Sequence, residues 1–220
     1  MTRMATTKTY DFVNRISAIS NWLSASSPLT LNYAYNNANQ RARVNLADGS
    51  FWLYEYDSLG QLKSGKKFWQ DWTPVAGQQF RYAFDDIGNR TSTLAGGDQA
   101  GQSLRPASYN ANSLNQYTSR DVPGYIDIMG LSYATNTVTV NGQTAYRKGE
   151  YFRSELSTNN SSGPVWQSVS VAATGQTTVT GNEFVAQTPE AFGYERSSIR
   201  SEARLHRTRT GRFVVFVAIA

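Results

Sequence analysis

Stretches in which aromatic residues occupy every second position recur along the chain. Tyr54 and Tyr56 lie two residues apart, and so do Tyr82 and Phe84. Side chains with this spacing lie on the same face of a β-strand. The alternation therefore predicts short strands with an aromatic face over residues 1–195, where no segment shows a convincing helical period with caps.

The two clearest stretches are each followed by the pattern Asp-x-x-Gly, formed by Asp57 and Gly60 and by Asp85 and Gly88. An aspartate in this position caps a type I turn, and glycine readily adopts the left-handed backbone that such a connection needs. The chain then returns as a second strand, so each unit is predicted to be a β-hairpin. Hairpins lying side by side can bury the aromatic faces that one hairpin cannot bury alone.

This hairpin unit is repeated along the chain. Close copies span residues 54–62 and 82–90, and weaker copies span 33–41 and 10–16. Counted from the residue before the Asp or Asn, the copies begin at positions 10, 35, 56 and 84, with spacings of 25, 21 and 28 residues. In one weaker copy Asn39 takes the place of glycine, which fits the same turn because Asn tolerates left-handed geometry.

Further turn signals lie between and after these copies. The dipeptides Asp48-Gly49 and Asn141-Gly142 each separate two strand-like runs and predict hairpins. Residues 74–77 and 96–98 are predicted to be loops because they contain the breakers Pro and Gly. Residues 125–185 contain short β-like runs separated by Gly, Asn, Ser and Thr, which predicts a small sandwich-like β module inserted into the repeat array.

Composition narrows the classes of chemistry that the chain can perform. Aromatic residues make up 13% of the sequence and charged residues 17%, which favours strands over helices. There is no cysteine, and the single histidine is His206. Disulfide scaffolds, cysteine-rich zinc sites, Cys–His nucleophiles and a Ser-His-Asp triad before residue 206 are therefore excluded. No metal site and no cofactor are expected.

The charge distribution argues against a nucleic-acid partner, although the net charge is +5. Residues 1–195 carry 15 Lys and Arg and 15 Asp and Glu, whereas residues 196–220 carry six Arg and one Glu. A neutral body with a short basic tail is not the distributed positive surface of a nucleic-acid-binding domain. No nucleic-acid partner is therefore predicted.

No signal peptide or membrane span is predicted. The longest apolar run, residues 213–220, has eight residues, far fewer than the roughly 20 that cross a bilayer as a helix. This run has high β-propensity and no charge. Docked on a sheet it would supply an edge strand, and exposed it would favour aggregation.

The carboxylates and aromatic residues of the repeat also allow catalytic and ligand-binding interpretations. Asp57, Asp85 and Asp86 could supply the carboxylate pair of a glycoside hydrolase, but Asp57 and Asp85 occupy equivalent turn positions, and Asp86 is adjacent to Asp85 in the same turn. Turn chemistry accounts for these residues, so no catalytic residue is assigned and the chain is not expected to be an enzyme. The aromatic stripe is expected to pack between hairpins. Phe68, Trp69 and Trp72 fit the alternation less well and form the candidate carbohydrate-binding patch.

The repeat resembles the YD repeat of Rhs proteins, whose motif runs approximately Tyr-x-Tyr-Asp-x-x-Gly-Asn-Arg. The resemblance covers roughly residues 10–195, and the segment 113–124 is also similar to one found in bacterial members. An aromatic-Asp-x-x-Gly unit repeated in register is a specific signal. The repeat-motif residues of the two close copies are Tyr54, Tyr56, Asp57, Gly60, Tyr82, Phe84, Asp85, Gly88, Asn89 and Arg90.

This resemblance implies an all-β fold in which stacked β-hairpin YD repeats form part of a spiralling β-sheet shell. Such shells enclose a C-terminal toxin domain, and in animal relatives they form cell-surface adhesion modules. The implied role is a non-catalytic structural or interaction segment, secreted or at the cell surface as part of a longer parent chain. Its implied partners are adjoining YD repeats and a C-terminal toxin domain; the alternative is a carbohydrate-binding or cell-surface adhesion module that binds glycans.

The expected organisation has five parts. These are an N-terminal tail (1–9), a YD-repeat hairpin array (10–124), an inserted β module (125–185), the start of a further repeat (186–195) and an Arg-rich tail outside the family pattern (196–220). A whole shell needs many more than four copies, and the family's proline- and glycine-rich plug with an aspartate autocleavage site has no counterpart. The chain is therefore expected to be a fragment or a remnant, with a truncation or reading-frame change near residue 196.

Overall fold

The all-β class is confirmed. The computed structural model describes residues 4–23, 28–192 and 214–219, and these residues form strands, turns and bends without any helix. The chain divides into two compact units, Met1–Ala83 with Leu94–Leu104 and Phe84–Thr93 with Arg105–Ala220.

The first unit is a row of antiparallel hairpin strands. Each strand pairs with the next one along the chain, from the first strand to the seventh. The strands are β1 (Met4–Tyr10), β2 (Ile16–Leu23), β3 (Leu29–Tyr35), β4 (Arg41–Asn45), β5 (Phe51–Tyr56), β6 (Leu62–Phe68) and β7 (Pro74–Phe84), followed by β8 (Arg90–Gly96). The last residue of β7 and the first residues of β8 belong to the second unit.

Few side chains of the first unit are fully buried. The buried apolar residues of its described strands are Val44, Phe51, Val75 and Ala76, and every residue of β1 is exposed. The guanidinium of Arg43 lies 3.8 Å from the ring centroid of Phe51. The described strands of this unit form one sheet layer, so its stability depends mainly on pairing between neighbouring strands.

The second unit contains a short sheet and a sandwich. The short sheet has the strand order β9-β10-β18, and the sandwich has two sheets with the orders β14-β15-β11-β19 and β13-β12-β16-β17. The strands are β9 (Leu104–Ala111), β10 (Tyr117–Arg120), β11 (Tyr125–Ser132), β12 (Val138–Val140), β13 (Gln143–Thr144), β14 (Tyr146–Lys148), β15 (Tyr151–Ser157), β16 (Val165–Ala173), β17 (Val179–Val185), β18 (Glu190–Ala191) and β19 (Val214–Ile219).

The two four-stranded sheets pack face to face around one apolar core, which confirms the predicted sandwich-like module. Ile126 of β11 and Phe152 of β15 come from one sheet, while Val138, Val140 and Val171 come from the other. All five side chains are at most 1% exposed. Buried and less buried positions alternate in β12 and in residues 169–173 of β16, whereas β11 is buried at five consecutive positions, 126–130. The apolar faces of the two sheets meet in this core.

The apolar run predicted near the C-terminal end forms an edge strand. β19 pairs in parallel with β11, from Asp127 opposite Val214 to Ser132 opposite Ile219. Residues 193–213 lie outside the described residues, and so does most of the Arg-rich tail. The boundaries of the five predicted parts stay predictions.

A group of hydrogen bonds closes the sandwich where the chain enters and leaves it. The buried Asn160 donates through Nδ2 to the carbonyls of Val122 and Ala186, at 2.9 and 2.7 Å. The Val122 amide donates to the hydroxyl of Thr188 at 3.0 Å. Just beyond, the Arg120 guanidinium pairs with the carboxylate of Glu190 on β18, so both ends of the sandwich join the same short sheet.

A chain of ion pairs runs across one sheet of the sandwich. Arg153 on β15 contacts Asp127 of β11 at 2.5 Å and Glu155 at 2.6 Å. Glu155 also pairs with Arg105 of β9, whose guanidinium lies 3.8 Å from the ring centroid of Tyr125. Alternating charges let the buried Asp127 keep its carboxylate hydrogen-bonded inside the protein.

Two of the predicted turns are confirmed, and one predicted loop is wrong. Asp48-Gly49 joins β4 to β5, and Asn141-Gly142 joins β12 to β13. Residues 74–77, however, open β7, where Pro74 pairs with Phe68. Proline is accepted there because it is the first residue of the strand.

A substitution at Gly124 would measure how tightly the chain is packed where it enters the sandwich. A Cβ added at Gly124 would lie 2.1 Å from the Thr158 carbonyl oxygen, whereas one added at Gly163 would meet nothing within 4 Å. We expect Gly124→Ala to lower the free energy of unfolding by about 1–3 kcal/mol, because the backbone must move apart. Urea denaturation should show Gly163→Ala close to wild type, and equal effects of the two changes would contradict this account.

Candidate functional site

The repeated turn is the feature that most of the predicted motif residues build. It has five residues, called here turn positions 1 to 5, and position 1 is Asp or Asn. The amide of position 1 donates to the carbonyl of position 5, and the amide of position 4 donates to the carbonyl of position 1. In the described chain this pattern occurs with an Asx residue at position 1 in the turns 11–15, 36–40, 57–61, 85–89, 98–102 and 112–116.

The side chain at position 1 organises each of these turns. Oδ1 of Asp57 accepts hydrogen bonds from the amides of Leu59 and Gln61, at 3.0 and 2.8 Å. The Oδ1 atoms of the other five residues accept the equivalent two amides, from positions 3 and 5. One oxygen thus satisfies two amides that the turn would otherwise leave without a partner in the protein.

Position 4 has a left-handed backbone in every one of these turns. Its φ is +82° at Gly60 and +91° at Gly88, and +60° at Asn39. Glycine and asparagine are the residues that adopt this conformation at least cost. The predicted roles of Asp and Gly in the motif therefore agree with the geometry.

The aromatic residue just before position 1 joins one turn to the preceding one. The Tyr35 hydroxyl donates to the carbonyl of Ile16 at 2.8 Å, and the Tyr56 hydroxyl donates to the carbonyl of Arg41 at 2.9 Å. Ile16 and Arg41 are the residues that follow position 5 of the preceding turns. The motif tyrosine is therefore a link between neighbouring hairpins, and its hydroxyl is the linking group.

The positions at the end of the turn add further contacts. Arg15, at position 5, donates to Oδ1 of Asn39 in the next turn at 2.7 Å and stacks on Tyr35 at 4.6 Å from the ring centroid. In the second unit Asn89 makes the equivalent contact, since its Nδ2 donates to Oδ1 of Asn115 at 3.3 Å. In both cases a side chain at position 5 of one turn donates a hydrogen bond to the side chain at position 4 of another.

Arg90, the last residue of the motif, contacts two tyrosines in the second unit. Its amide donates to the hydroxyl oxygen of Tyr117 at 2.7 Å, and its guanidinium lies 5.7 Å from the ring centroid of Tyr109. Phe84, the residue before the Asp85 turn, carries no hydroxyl and so lacks the donor that Tyr35 and Tyr56 use.

The remaining predicted motif residues lie on strands. Tyr54 and Tyr82 are half-buried on β5 and β7. Tyr54 stacks on Trp52 at 6.3 Å and lies over Gly65, where an added Cβ would be 3.4 Å from its ring. The ring of Tyr54 thus covers a strand position that has no side chain of its own, and burial raises the pKa of its hydroxyl.

The candidate aromatic patch is only partly exposed. Phe68 ends β6 and stacks on Phe51, 5.7 Å between ring centroids, and Phe68 and Trp69 are both half-buried. Trp72 is 59% exposed and contacts Phe51 edge-on at 4.7 Å. The structure therefore brings Phe68 and Trp72 together around Phe51 and leaves Trp72 as the exposed ring.

Trp72 occupies a turn of a second kind, at the opposite end of the sheet of the first unit. The turns 46–50 and 69–73 have the same backbone bonds, but their aspartates, Asp48 and Asp71, stand at position 3 and accept the amide and hydroxyl of position 5. Position 4 is Gly49 in the first of these turns. In the second it is Trp72, with a φ of +64°, a conformation that is costly for a bulky side chain.

The carboxylates of the repeat are held as hydrogen-bond acceptors. The pKa of Asp85 is lowered, first by the hydrogen bond from the Asn89 side chain and then by backbone amides. A general acid needs a raised pKa, so the shift runs in the wrong direction for that role. Among the residues that the structure describes, no group of three His, Asp or Glu side chains could hold a metal ion.

Two turns of the repeated kind were missed from the sequence. One begins at Asp98 with Gly101 at position 4, and the other begins at Asn112 with Asn115 at position 4. Neither has a tyrosine directly before position 1, which is why a search for the aromatic part of the motif passes over them. An Asx residue followed three residues later by Gly or Asn is the signal that would have found both.

Comparisons with known proteins give a partial structural likeness. No family model matches the chain, and no curated protein matches it. The fold is similar to chains in crystal structures of TcdB2-TccC3-Cdc42, with 15% identity, and of TcdB2-TccC3 without the hypervariable C-terminal region, with 14% identity, both at a TM-score of 0.48. Each match covers 81% of this chain and 9% of the other chain. A likeness of this size assigns neither a family nor an activity.

In the part of the chain that the structure describes, no helix has the length and apolarity needed to cross a membrane.

The linking role of the motif tyrosines can be measured directly. We expect Tyr35→Phe and Tyr56→Phe each to lower the free energy of unfolding by about 0.5–1.5 kcal/mol, because each leaves a carbonyl of the neighbouring hairpin without its donor. Tyr54→Phe, on the same sheet, is the matched control and should change it by less than about 0.5 kcal/mol. Equal losses in all three variants, measured by urea denaturation, would show that the hydroxyl links do not matter.

Proposed function

We propose that this chain is a non-catalytic structural segment of an Rhs-type β shell, which encapsulates or displays a C-terminal toxin or surface module. The proposal rests on the contacts that the motif residues make. Asp, Gly, Tyr and Arg residues of the repeat form turns and join one hairpin to the next, as Tyr56 does with Arg41. Residues that form the turns and link neighbouring hairpins extend a sheet sideways.

The single sheet of the first unit supports the same role. Its described strands bury few apolar side chains, and every residue of β1 is exposed. Globular domains normally bury the faces of a sheet against a second layer. A wall segment in a longer row of hairpins obtains its stability from neighbouring strands, which fits the arrangement seen here.

The state of the acidic residues supports a non-catalytic role. Asp57 and Asp85 each accept hydrogen bonds from two backbone amides through Oδ1. The hydrogen bonds to Asp85, first that from the Asn89 side chain, lower the pKa of its carboxyl. As part of a shell, the segment would be secreted or lie at the cell surface within a longer parent chain, with adjoining YD repeats as its partners.

The proposal is tested on the polypeptide that carries this sequence in its native host. An antibody raised against the purified chain should capture a protein several times larger than 24.4 kDa. Limited proteolysis of that protein should leave a C-terminal fragment protected until the shell is unfolded. Capture of a 24.4 kDa species by itself, or immediate digestion of the C-terminal fragment, would overturn the proposal.

A second candidate function, carbohydrate binding, is favoured by Trp72. Its ring is 59% exposed and is held by Phe51 and Phe68, with the guanidinium of Arg43 at 5.4 Å. The backbone at this residue is in a conformation that suits Gly or Asn better. An exposed, pre-oriented indole kept at such a position is the geometry that stacks on a sugar ring.

Trp72→Asn separates ligand binding from folding, because Asn is the residue found at position 4 of three other turns, at Asn14, Asn39 and Asn115. On a glycan array we expect the wild-type chain to bind and this variant to lose binding by about tenfold or more. Trp166→Asn removes a ring of similar exposure, 63%, in the other unit, and should leave binding unchanged. Absence of any bound glycan would contradict this candidate.

A further inference from the structure

The edge strand β1 carries one half of the contact that Tyr35 and Tyr56 make between successive hairpins of the first unit. β1 pairs with β2 along one side, from Met4 opposite Leu23 to Tyr10 opposite Ile16. All seven of its residues are exposed, and Lys8 is its one charged side chain. A strand edge of this kind offers main-chain donors and acceptors to another strand.

The contact between the hairpins on either side of β2 and β3 has two components. First, the tyrosine before a turn donates its hydroxyl to the carbonyl of the residue that follows the preceding turn, as Tyr35 does to Ile16 and Tyr56 to Arg41. Second, the side chain at position 5 of the preceding turn reaches position 4 of the next, as Arg15 reaches Asn39.

The first hairpin carries, for both components, the group that contacts a preceding hairpin. Tyr10 stands directly before the turn 11–15 and is 53% exposed, whereas Tyr35 and Tyr56 at the same position are half-buried. Asn14 is at position 4 of that turn, with a φ of +64°, and its side chain is exposed. Strand edge, hydroxyl donor and amide acceptor therefore lie in the arrangement that binds a preceding hairpin.

We propose that the β1 edge binds the second strand of another hairpin of this repeat type, in antiparallel register. A carbonyl after the incoming turn accepts the Tyr10 hydroxyl, and a donor side chain at position 5 of that turn binds Asn14. The inference rests on the proposed role as one segment of a row of hairpins, and it names the edge, the register and the two side chains that select the partner.

The occupant follows from an interface already present in the chain. The hairpin formed by β3, the turn 36–40 and β4 offers the carbonyl of Arg41 and the side chain of Gln40 to its neighbour. In the folded chain Tyr56 takes that carbonyl, and Gln40 lies beside position 4 of the next turn, with its Nε2 3.1 Å from a Cβ added at Gly60. A free copy of this hairpin would meet Tyr10 and Asn14 on β1 with the same groups.

The probe is therefore a synthetic peptide of residues 28–46, cyclised through a glycine linker because an isolated hairpin is only marginally stable. Added to the full 220-residue chain, it should slow hydrogen exchange of the amides of residues 4–10 and bind with one-to-one stoichiometry by calorimetry. Tyr10→Phe should weaken the affinity about fivefold, the value of one net hydrogen bond.

Asn14→Gly is the second variant, because glycine adopts the same left-handed backbone and removes just the side-chain acceptor. It should weaken binding of the peptide by a similar factor while the free energy of unfolding stays close to wild type. The peptide variant Gln40→Ala should lose the same contact from the other side. Tyr133→Phe, which removes a hydroxyl from a tyrosine 57% exposed elsewhere, should leave the affinity unchanged.

Two results would overturn the inference: no protection of residues 4–10 by the peptide, or protection that Tyr10→Phe and Asn14→Gly leave unaltered. Dimerisation of the chain through β1 in the absence of peptide would also overturn it, because the occupant would then be a second copy of β1. These outcomes are separate from the shell proposal, which fails on the size and protease protection of the native polypeptide even where the peptide binds as expected.

Discussion

One hydrogen-bond acceptor, the Oδ1 atom of the Asx residue at turn position 1, underlies the hairpin row. It binds two amides in each turn, as Asp57 does with Leu59 and Gln61, and so fixes where one strand ends and the next begins. The residues on either side of the turn then fall opposite each other, Tyr56 opposite Leu62. That pairing places the Tyr56 hydroxyl against the carbonyl of Arg41 in the preceding hairpin, and Tyr35 makes the equivalent link to Ile16.

The hairpins of the row could be predicted because their determinants are local. A type I turn with an Asx residue and a left-handed position is formed by five consecutive residues. Asp57 and Gly60 therefore predict it without knowledge of the rest of the fold. The turn at Asn112 obeys the same rule but lacks the aromatic residues that made the other copies visible. The start of β7 was predicted as a loop because proline disrupts the interior of a strand. At the first position of a strand, however, proline is accepted, and Pro74 lies there.

The contacts between segments that are distant in the sequence could not be predicted from such local signals. Asn160 reads as a loop asparagine, yet it is buried and binds Val122 and Ala186, residues that are 38 and 26 positions away. The pairing of Asp127 with Arg153 is likewise set by the register between β11 and β15. The same distinction holds for the candidate site. Its turn residues could be identified because their determinants are local, whereas the exposure of Trp72 and the packing of Phe68 against it depend on the strands around Phe51.

The links between hairpins lie beside one set of turns, which leaves the length of the strands and the connections at their far ends free to vary. The copies start 25, 21 and 28 residues apart, and beyond β10 an entire sandwich precedes the return of the chain as β18. Such a row can acquire or lose whole domains at its far ends during evolution without disturbing the contacts that hold it together. The same property makes those connections natural places for grafting foreign domains in protein engineering.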